Sequence, residues 1–296
     1  MGVLNKGQWQ GDDVQLEQVD QIAQPLIAEK DRYHFYFAYG CPFAHRANLV
    51  RHYLGLTDVI LASSTAPIMT ADGLAFNTDF YDTANHLPFL RDVYLKGKAN
   101  FSGRASVPLL WDKQTQSIAS HNSGEMAWEI AEKFAKLGNN PADLIPSHLR
   151  NEIAKLNDWL DVKINRKVYQ VGYADTPEKY QKQLQELFQS LSKLDQRLAE
   201  QRYLFGEQIT LSDFWLFPTL IRFEAVYADL FRTNLKPLAE FQHLYRYMLA
   251  LYADPRIRAT VDIDFTMQFY YVNSGGLSPD NVPKPVLPWL NTNLSN

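Results

Sequence analysis

The chain has one cysteine in 296 residues, and that scarcity excludes more than any other feature of the composition. A single thiol permits neither an intramolecular disulfide nor a cysteine-built metal site. A surplus of one charge is also missing. The 33 acidic and 29 basic side chains leave a formal net charge of −4, which gives no general drive toward nucleic acid or an anionic membrane. No apolar run approaches the ~20 residues of a membrane-spanning helix, and the opening MGVLNKGQWQGDD lacks the apolar core of a signal peptide. These absences predict a protein of the reducing cytoplasm with no membrane, nucleic acid or metal partner. Hydrophobic residues, in contrast, reach 46%, enough to bury a sizeable core, and the length suits two domains.

Residues 1–30 are polar without a sustained period and read as an arm. YHFYFAY, at 33–39, is apolar or aromatic almost throughout, as a strand buried on both faces would be. Pro42 suits the first turn of a helix, whose apolar face is Leu49, Val50, Tyr53 and Leu54, ending at Gly55. VILAS (59–63) predicts a second strand, so 33–63 reads as a βαβ unit. Residues 64–103 form a long polar connection with no clear period. SVPLLWD (106–112) and SIAS (117–120) predict a hairpin, and NSGEMAWEIAEKFAKL (122–137) predicts a helix opened by a capping residue.

The period then changes. NNPADLIPSH (139–148) has the composition of a linker, and helices are predicted beyond it over 148–166, 177–201, 210–230 and 238–252. Thr210 and Asp213 of TLSD make a capping-box variant. Residues 273–296, with four prolines, read as a tail. The domain reading is an arm at 1–30, an α/β domain at 31–138 with an insertion at 64–103, an all-helical domain at 147–272, and the tail.

The lone cysteine stands where the first strand turns into the first helix, followed directly by Pro42. Only the thiolate is nucleophilic, and unpaired N–H groups at a helix start lower a thiol pKa from about 8.5 to roughly 3.5–7.5. Position 44, where a dithiol motif would carry its second cysteine, is Ala44, so a mixed disulfide on Cys41 must be resolved by an outside thiol. That points to monothiol chemistry with a small thiol; the plainer alternative is a buried cysteine acting as a small hydrophobe. Pro108 in SVP is expected to follow a cis bond, leaving the backbone of Val107 to pair with a peptide ligand, although an edge-strand proline fits the same pattern. Asn122 and Ser123 open a helix whose free N–H groups suit a ligand carboxylate, or only an ordinary cap. His45, four residues after Cys41, is expected to pack or bond locally and not to act as a base.

This order of a Cys-Pro turn, a VP strand, a Ser-started helix and a helical domain resembles the cytosolic glutathione transferases. More narrowly, the blocks EKDRYHFYFAYGCPFAHRANLV, YLKGKANFSGRASVPLLWDKQTQSI, INRKVYQVGYA, RYLFGEQITLSDFWLFPTLIRFEAVY and TVDIDFTMQFYY resemble the glutathionyl-hydroquinone reductases, the Xi class. The resemblance implies a thioredoxin-like N-terminal domain followed by an all-helical transferase domain, glutathione as co-substrate, and a homodimer. It implies that Cys41 takes glutathione from an aromatic, quinone-derived conjugate as a mixed disulfide, which a second glutathione resolves. It places Phe43, Arg104, Val107, Pro108, Asn122 and Ser123 on glutathione, and Tyr169 and Tyr270 around the aromatic substrate.

The likeness breaks at several positions. Phe43 stands where the family has Trp, Leu74 replaces a second Trp, and Asn122 replaces the Glu of a Glu-Ser pair. Arg166 and Lys167 are added beside Tyr169, and Phe269 replaces a His. These changes mark either an altered thiol affinity or acceptor, or tolerated drift. Two other readings stay open: an omega-like thioltransferase or dehydroascorbate reductase with the same monothiol turn, and a non-catalytic carrier of aromatic ligands.

Overall fold

The first ten residues, expected to belong to a featureless arm, contain a hairpin. The computed structural model describes residues 2–10 and 15–291, so parts of the expected arm and tail lie outside the described residues. The chain divides into two compact units, Met1–Ala142 and Asp143–Asn296. The first runs β1 (Val3–Asn5), β2 (Gln8–Gln10), β3 (Tyr33–Phe37), α1 (Pro42–Tyr53), β4 (Leu61–Ser64), α2 (Leu90–Gly97), β5 (Gly103–Arg104), β6 (Leu109–Asp112), β7 (Ser117–Ser120) and α3 (Ser123–Lys133).

Strand β1 lies between β2 and β5, antiparallel to both, with Val3 opposite Arg104. The β1–β2 turn puts Lys6 and Gly7 at φ 49° and 83°, the left-handed pair that a two-residue hairpin needs. Strands this short carry no detectable alternation, so the sequence pattern does not reveal them. Asp20 and Gln24, further along the expected arm, are tied down as well. The Gln24 N–H donates to the Ala119 carbonyl at 2.8 Å, and the Asp20 carboxylate accepts from the Ser102 N–H at 2.8 Å.

The second sheet has the order β4-β3-β6-β7, with β4 parallel to β3 and the other neighbours antiparallel. All five residues of β3 are buried, as its unbroken apolar run predicts. Phe35 and Phe37 stack on one face, while His34 and Tyr36 form an edge-to-face pair on the other. Helix α1 packs against α3 and ends at Gly55, whose φ of +67° suits the residue after a helix.

The 64–103 segment is less irregular than its sequence suggests. Helix α2 buries Leu90, Val93 and Tyr94 as one i, i+3, i+4 cluster, too short to register as a period. A buried carboxylate organises the polar stretch before it. Asp82 accepts from the Tyr36 hydroxyl at 2.8 Å and from the N–H groups of Ala84 and Asn85 at 3.0 Å and Leu87 at 3.1 Å. A polar loop that brings its own acceptor can lie on a sheet without orphaned donors.

The second unit is helical: α4 (Arg150–Leu160), α5 (Lys167–Gly172), α6 (Pro177–Arg197), α7 (Leu211–Leu220), α8 (Ala228–Leu230), α9 (Gln242–Ala253), α10 (Pro255–Arg258) and α11 (Ile263–Asn273). Two π-helical turns interrupt it, Asp161–Asn165 and Phe223–Tyr227. Every residue of α7 is buried, which makes it the central helix. Its start uses the expected capping box. The Asp213 carboxylate accepts from the Thr210 N–H at 2.7 Å, and also from the Leu204 N–H at 3.0 Å and the Tyr247 hydroxyl at 2.9 Å. Helix α11 falls where no helix was predicted, and from the expected tail Leu287 and Trp289 are buried, Trp289 edge-on to Tyr252.

Candidate active site

Cys41 is the N-cap of α1, with extended backbone (φ −79°, ψ 113°) that turns the chain from β3 into the helix. Its sulfur accepts from the Ala44 N–H at 3.4 Å, one of the donors that a helix start leaves without an intrahelical partner. The same sulfur lies 3.7 Å from the Val107 carbonyl, to which the protonated thiol donates. The Ala44 contact and the helix dipole favour the thiolate, and the Val107 contact favours the thiol.

Sheet register explains why these residues meet. Tyr36, near the end of β3, pairs with Leu109 at the start of β6, and Leu110 pairs with Ser120 at the end of β7. The turn carrying Cys41, the Val107–Pro108 step and the Asn122–Ser123 helix start therefore emerge from one edge of the sheet. The Val107–Pro108 bond is cis, and among the described residues the Val107 N–H has no hydrogen-bond partner. Arg104, exposed in β5, belongs to the other sheet, with Ala105 and Ser106 between it and the Val107–Pro108 step.

Capping, stacking and burial fix the places of the other expected site residues. Asn122 is the cap of α3, as the opening residue of the 122–137 helix was expected to be, and its side-chain oxygen accepts from the N–H groups of Gly124 at 3.0 Å and Glu125 at 3.2 Å. Two donors expected to be open to a ligand are thus taken by the protein. Phe43 lies under the Arg46 guanidinium, 5.0 Å from the ring centre. Leu74 is buried with 1% exposure, so it is a core residue of the insertion. His45 is buried at 3% exposure and its N–H donates to the Cys41 carbonyl, a local role.

The second unit gathers the expected tyrosines. The Tyr169 and Tyr270 hydroxyls lie 2.6 Å apart although 101 residues separate them in sequence. A third phenol, Tyr227, has its oxygen 3.2 Å from that of Tyr270, with the two rings perpendicular. Burial first, then the neighbouring Tyr169 and Tyr227, push the Tyr270 hydroxyl well above the usual tyrosine range, with Arg222 opposing. Tyr227 has no sequence signal. It ends a π-helical turn, and the extra residue in that turn shifts the helical phase away from a 3.6-residue wheel.

The added cations Arg166 and Lys167 both form ion pairs. Arg166 pairs with Asp161 at 2.5 Å, while Lys167, 6% exposed, pairs with Glu186 at 2.8 Å and donates to Gln183 at 2.6 Å. All three contacts join residues of the helical unit. Among the described residues no cluster of three or more His, Cys, Asp or Glu is placed to hold a metal, and no helix is long and apolar enough to cross a membrane.

Comparison with known proteins places this geometry. The family model for the glutathione S-transferase C-terminal domain matches residues 177–250. Glutathionyl-hydroquinone reductase YqjG of Escherichia coli K12 is 35% identical over 268 residues, covering 89% of this chain and 81% of that protein. The glutathione-bound structure of YqjG superposes with a TM-score of 0.87 at 32% identity, covering 97% of this chain and 96% of the other. A Xi-class transferase from Natrialba magadii superposes with a TM-score of 0.90 at 30% identity, covering 96% and 93%.

Proposed function

The chain belongs to the glutathionyl-hydroquinone reductases, the Xi-class glutathione transferases, and on that premise we propose that it strips glutathione from quinone-derived aromatic thioethers through Cys41. It is a glutathione-dependent enzyme with a thioredoxin-like domain and a helical transferase domain. The observation that carries the proposal is Cys41 at the N-cap of α1, its sulfur accepting the Ala44 N–H at 3.4 Å.

In the first step the Cys41 thiolate attacks the thioether sulfur. The aryl carbon–sulfur bond breaks, its electron pair stays on the ring, and that carbon takes a proton, so hydroquinone leaves and Cys41–S–S–glutathione remains. In the second step a glutathione thiolate attacks the mixed disulfide, releasing oxidised glutathione and the Cys41 thiolate. Two electrons pass from two glutathionyl sulfurs to the aromatic carbon, and no other reductant is needed. Soft sulfur suits attack on sulfur, and donors on the ring oxygens make the ring a better leaving group.

In this reading the Val107 backbone pairs with the peptide part of glutathione. Phe43, Arg104, Pro108, Asn122 and Ser123 complete its site, while the Tyr169 and Tyr270 hydroxyls hold the ring oxygens. Arg104 suits a carboxylate of glutathione in charge, and the Ser123 hydroxyl at the start of α3 suits one as a donor. The enzyme acts as a homodimer in the cytoplasm.

The test is incubation with glutathionyl-menadione and glutathione, following menadiol release beside Cys41→Ala. Turnover in the wild type and none in the variant is expected. Transfer confined to hydroxyethyl disulfide would instead indicate an omega-like thioltransferase, and binding without turnover a carrier.

A further inference from the structure

We propose that Tyr173 is a specificity-determining residue for this reaction: its exposed ring is a platform for the second, fused ring of a naphthoquinone-derived conjugate. The inference rests on the reading that Tyr169 and Tyr270 hold the ring oxygens of the substrate.

Tyr173 directly follows the last residue of α5, and its N–H donates to the Tyr169 carbonyl at 2.9 Å. Residues four apart share one face of a helix, so the two side chains leave α5 on the same side. Their ring centres are 6.3 Å apart, with 29° between the planes. Phe231 is a second support for the Tyr173 ring, 5.3 Å away and inclined at 54°. Gly172 makes that approach possible, because a Cβ there would stand 2.6 Å from the Phe231 Cγ.

Tyr169, Tyr173, Tyr227, Phe231 and Tyr270 form one ring cluster, and burial divides it. Tyr227, Phe231 and Tyr270 are closed off from solvent, Tyr169 is partly exposed, and Tyr173 is 64% exposed. A single exposed aromatic side chain is ordinary on a protein surface. Tyr173 differs because it is the open end of a packed cluster that contains both hydroxyls assigned to the substrate. A flat ring braced by two others gains by being covered, and another ring covers it well. Among the described residues the Tyr173 hydroxyl has no hydrogen-bond partner, so its contribution is the ring's.

The first ring of a conjugate carries the oxygens and the carbon–sulfur bond that breaks, and the hydroxyls hold it in any acceptor. A fused second ring adds flat apolar surface without oxygens, which is what Tyr173 can take. Contact with a ring remote from the reacting bond is equally strong in the ground and transition states. It therefore lowers KM and leaves kcat alone.

The experiment compares glutathionyl-menadione, with two fused rings, and glutathionyl-hydroquinone, with one, in wild type, Tyr173→Ala and Tyr173→Phe. Tyr173→Ala is expected to raise KM for the two-ring conjugate about tenfold with kcat within about twofold, the scale of one stacked ring pair. Both constants for the one-ring conjugate are expected to stay within about twofold, and Tyr173→Phe to match the wild type. An unchanged KM, or an equal rise for both conjugates, would overturn the inference and leave the proposed function standing. Calorimetric titration of both conjugates into Cys41→Ala, with and without Tyr173→Ala, reads the same selectivity as affinity. A two-ring preference that Tyr173→Ala cuts about tenfold is expected, and an unaltered ratio counts against the role. If the wild type turns over neither conjugate, the proposed function fails and the titration alone judges Tyr173. Thermal midpoints check the fold. Should Tyr173→Ala not fold, Tyr173→Leu, which keeps apolar bulk without a ring face, must show the same selective rise in KM, at least about threefold.

Discussion

The sulfur of Cys41 sits between two backbone groups of opposite kind, the Ala44 N–H at 3.4 Å and the Val107 carbonyl at 3.7 Å. The carbonyl gives the resting thiol a place for its proton, while the N–H and the helix start stabilise the thiolate that attacks. The attack proposed for Cys41 needs both states within reach.

Alkylation rate measures which partner dominates. If the helix start does, iodoacetamide modifies Cys41 readily near pH 6, and the rate rises less than about threefold between pH 6 and pH 8. A rise of tenfold per pH unit up to about pH 8.5 would show an ordinary thiol held by Val107.

Removing the cap of α3 tests the role of Asn122, whose side chain accepts the Gly124 and Glu125 N–H groups. Asn122→Ala is expected to cost about 1 kcal/mol and Asn122→Asp close to nothing. In a thermal melt the first corresponds to a fall of roughly 2–4 °C. Equal melting of Asn122→Ala and wild type contradicts the cap.

The 64–103 insertion depends on Asp82, which is fully buried and serves four donors. Asp82→Ala strands the Tyr36 hydroxyl and three N–H groups, at an expected cost of about 3–5 kcal/mol. Amide exchange should then quicken at Ala84, Asn85 and Leu87 before it does in β6, and uniform exchange would refute a local anchor.

Buried His34 couples stability to pH. Its imidazole bonds the Ser63 hydroxyl at 2.9 Å, and burial lowers its pKa from 6.5 to about 4. The unfolded chain therefore binds this proton first as pH falls, and stability drops between pH 6.5 and about 4. His52, lowered to about 4 by burial and then by Arg51, acts in the same direction. His34→Gln should reduce the loss of unfolding free energy between pH 6.5 and 4.5 by about 2 kcal/mol, read from denaturant midpoints. An unaltered pH slope would mean that His34 is not the group titrating.

Long, strongly patterned segments were legible in the sequence. The run at 33–39, the Cys-Pro turn and the Thr210–Asp213 capping box each announce their structure by residue type alone, and each is present. The strands at Val3–Asn5 and Gln8–Gln10, the single-cluster helix at Leu90–Gly97 and the helix at Ile263–Asn273 were not legible. The first three elements are too short to show a period. The last has apolar residues on every side, such as Ile263, Phe265, Met267 and Tyr270, so no amphipathic stripe marks it. The ion pairs of Arg166 with Asp161 and of Lys167 with Glu186 were not legible either, because their partners lie five and nineteen residues away.

By itself the sequence determined a lone cysteine at a strand-to-helix turn, a two-part chain and the family, because these follow from residue identity and local order. Only the tertiary structure decided that Asp82 anchors the insertion and that Tyr227 joins Tyr169 and Tyr270. Those outcomes depend on which donors and acceptors burial leaves facing one another, and burial is a property of the whole fold.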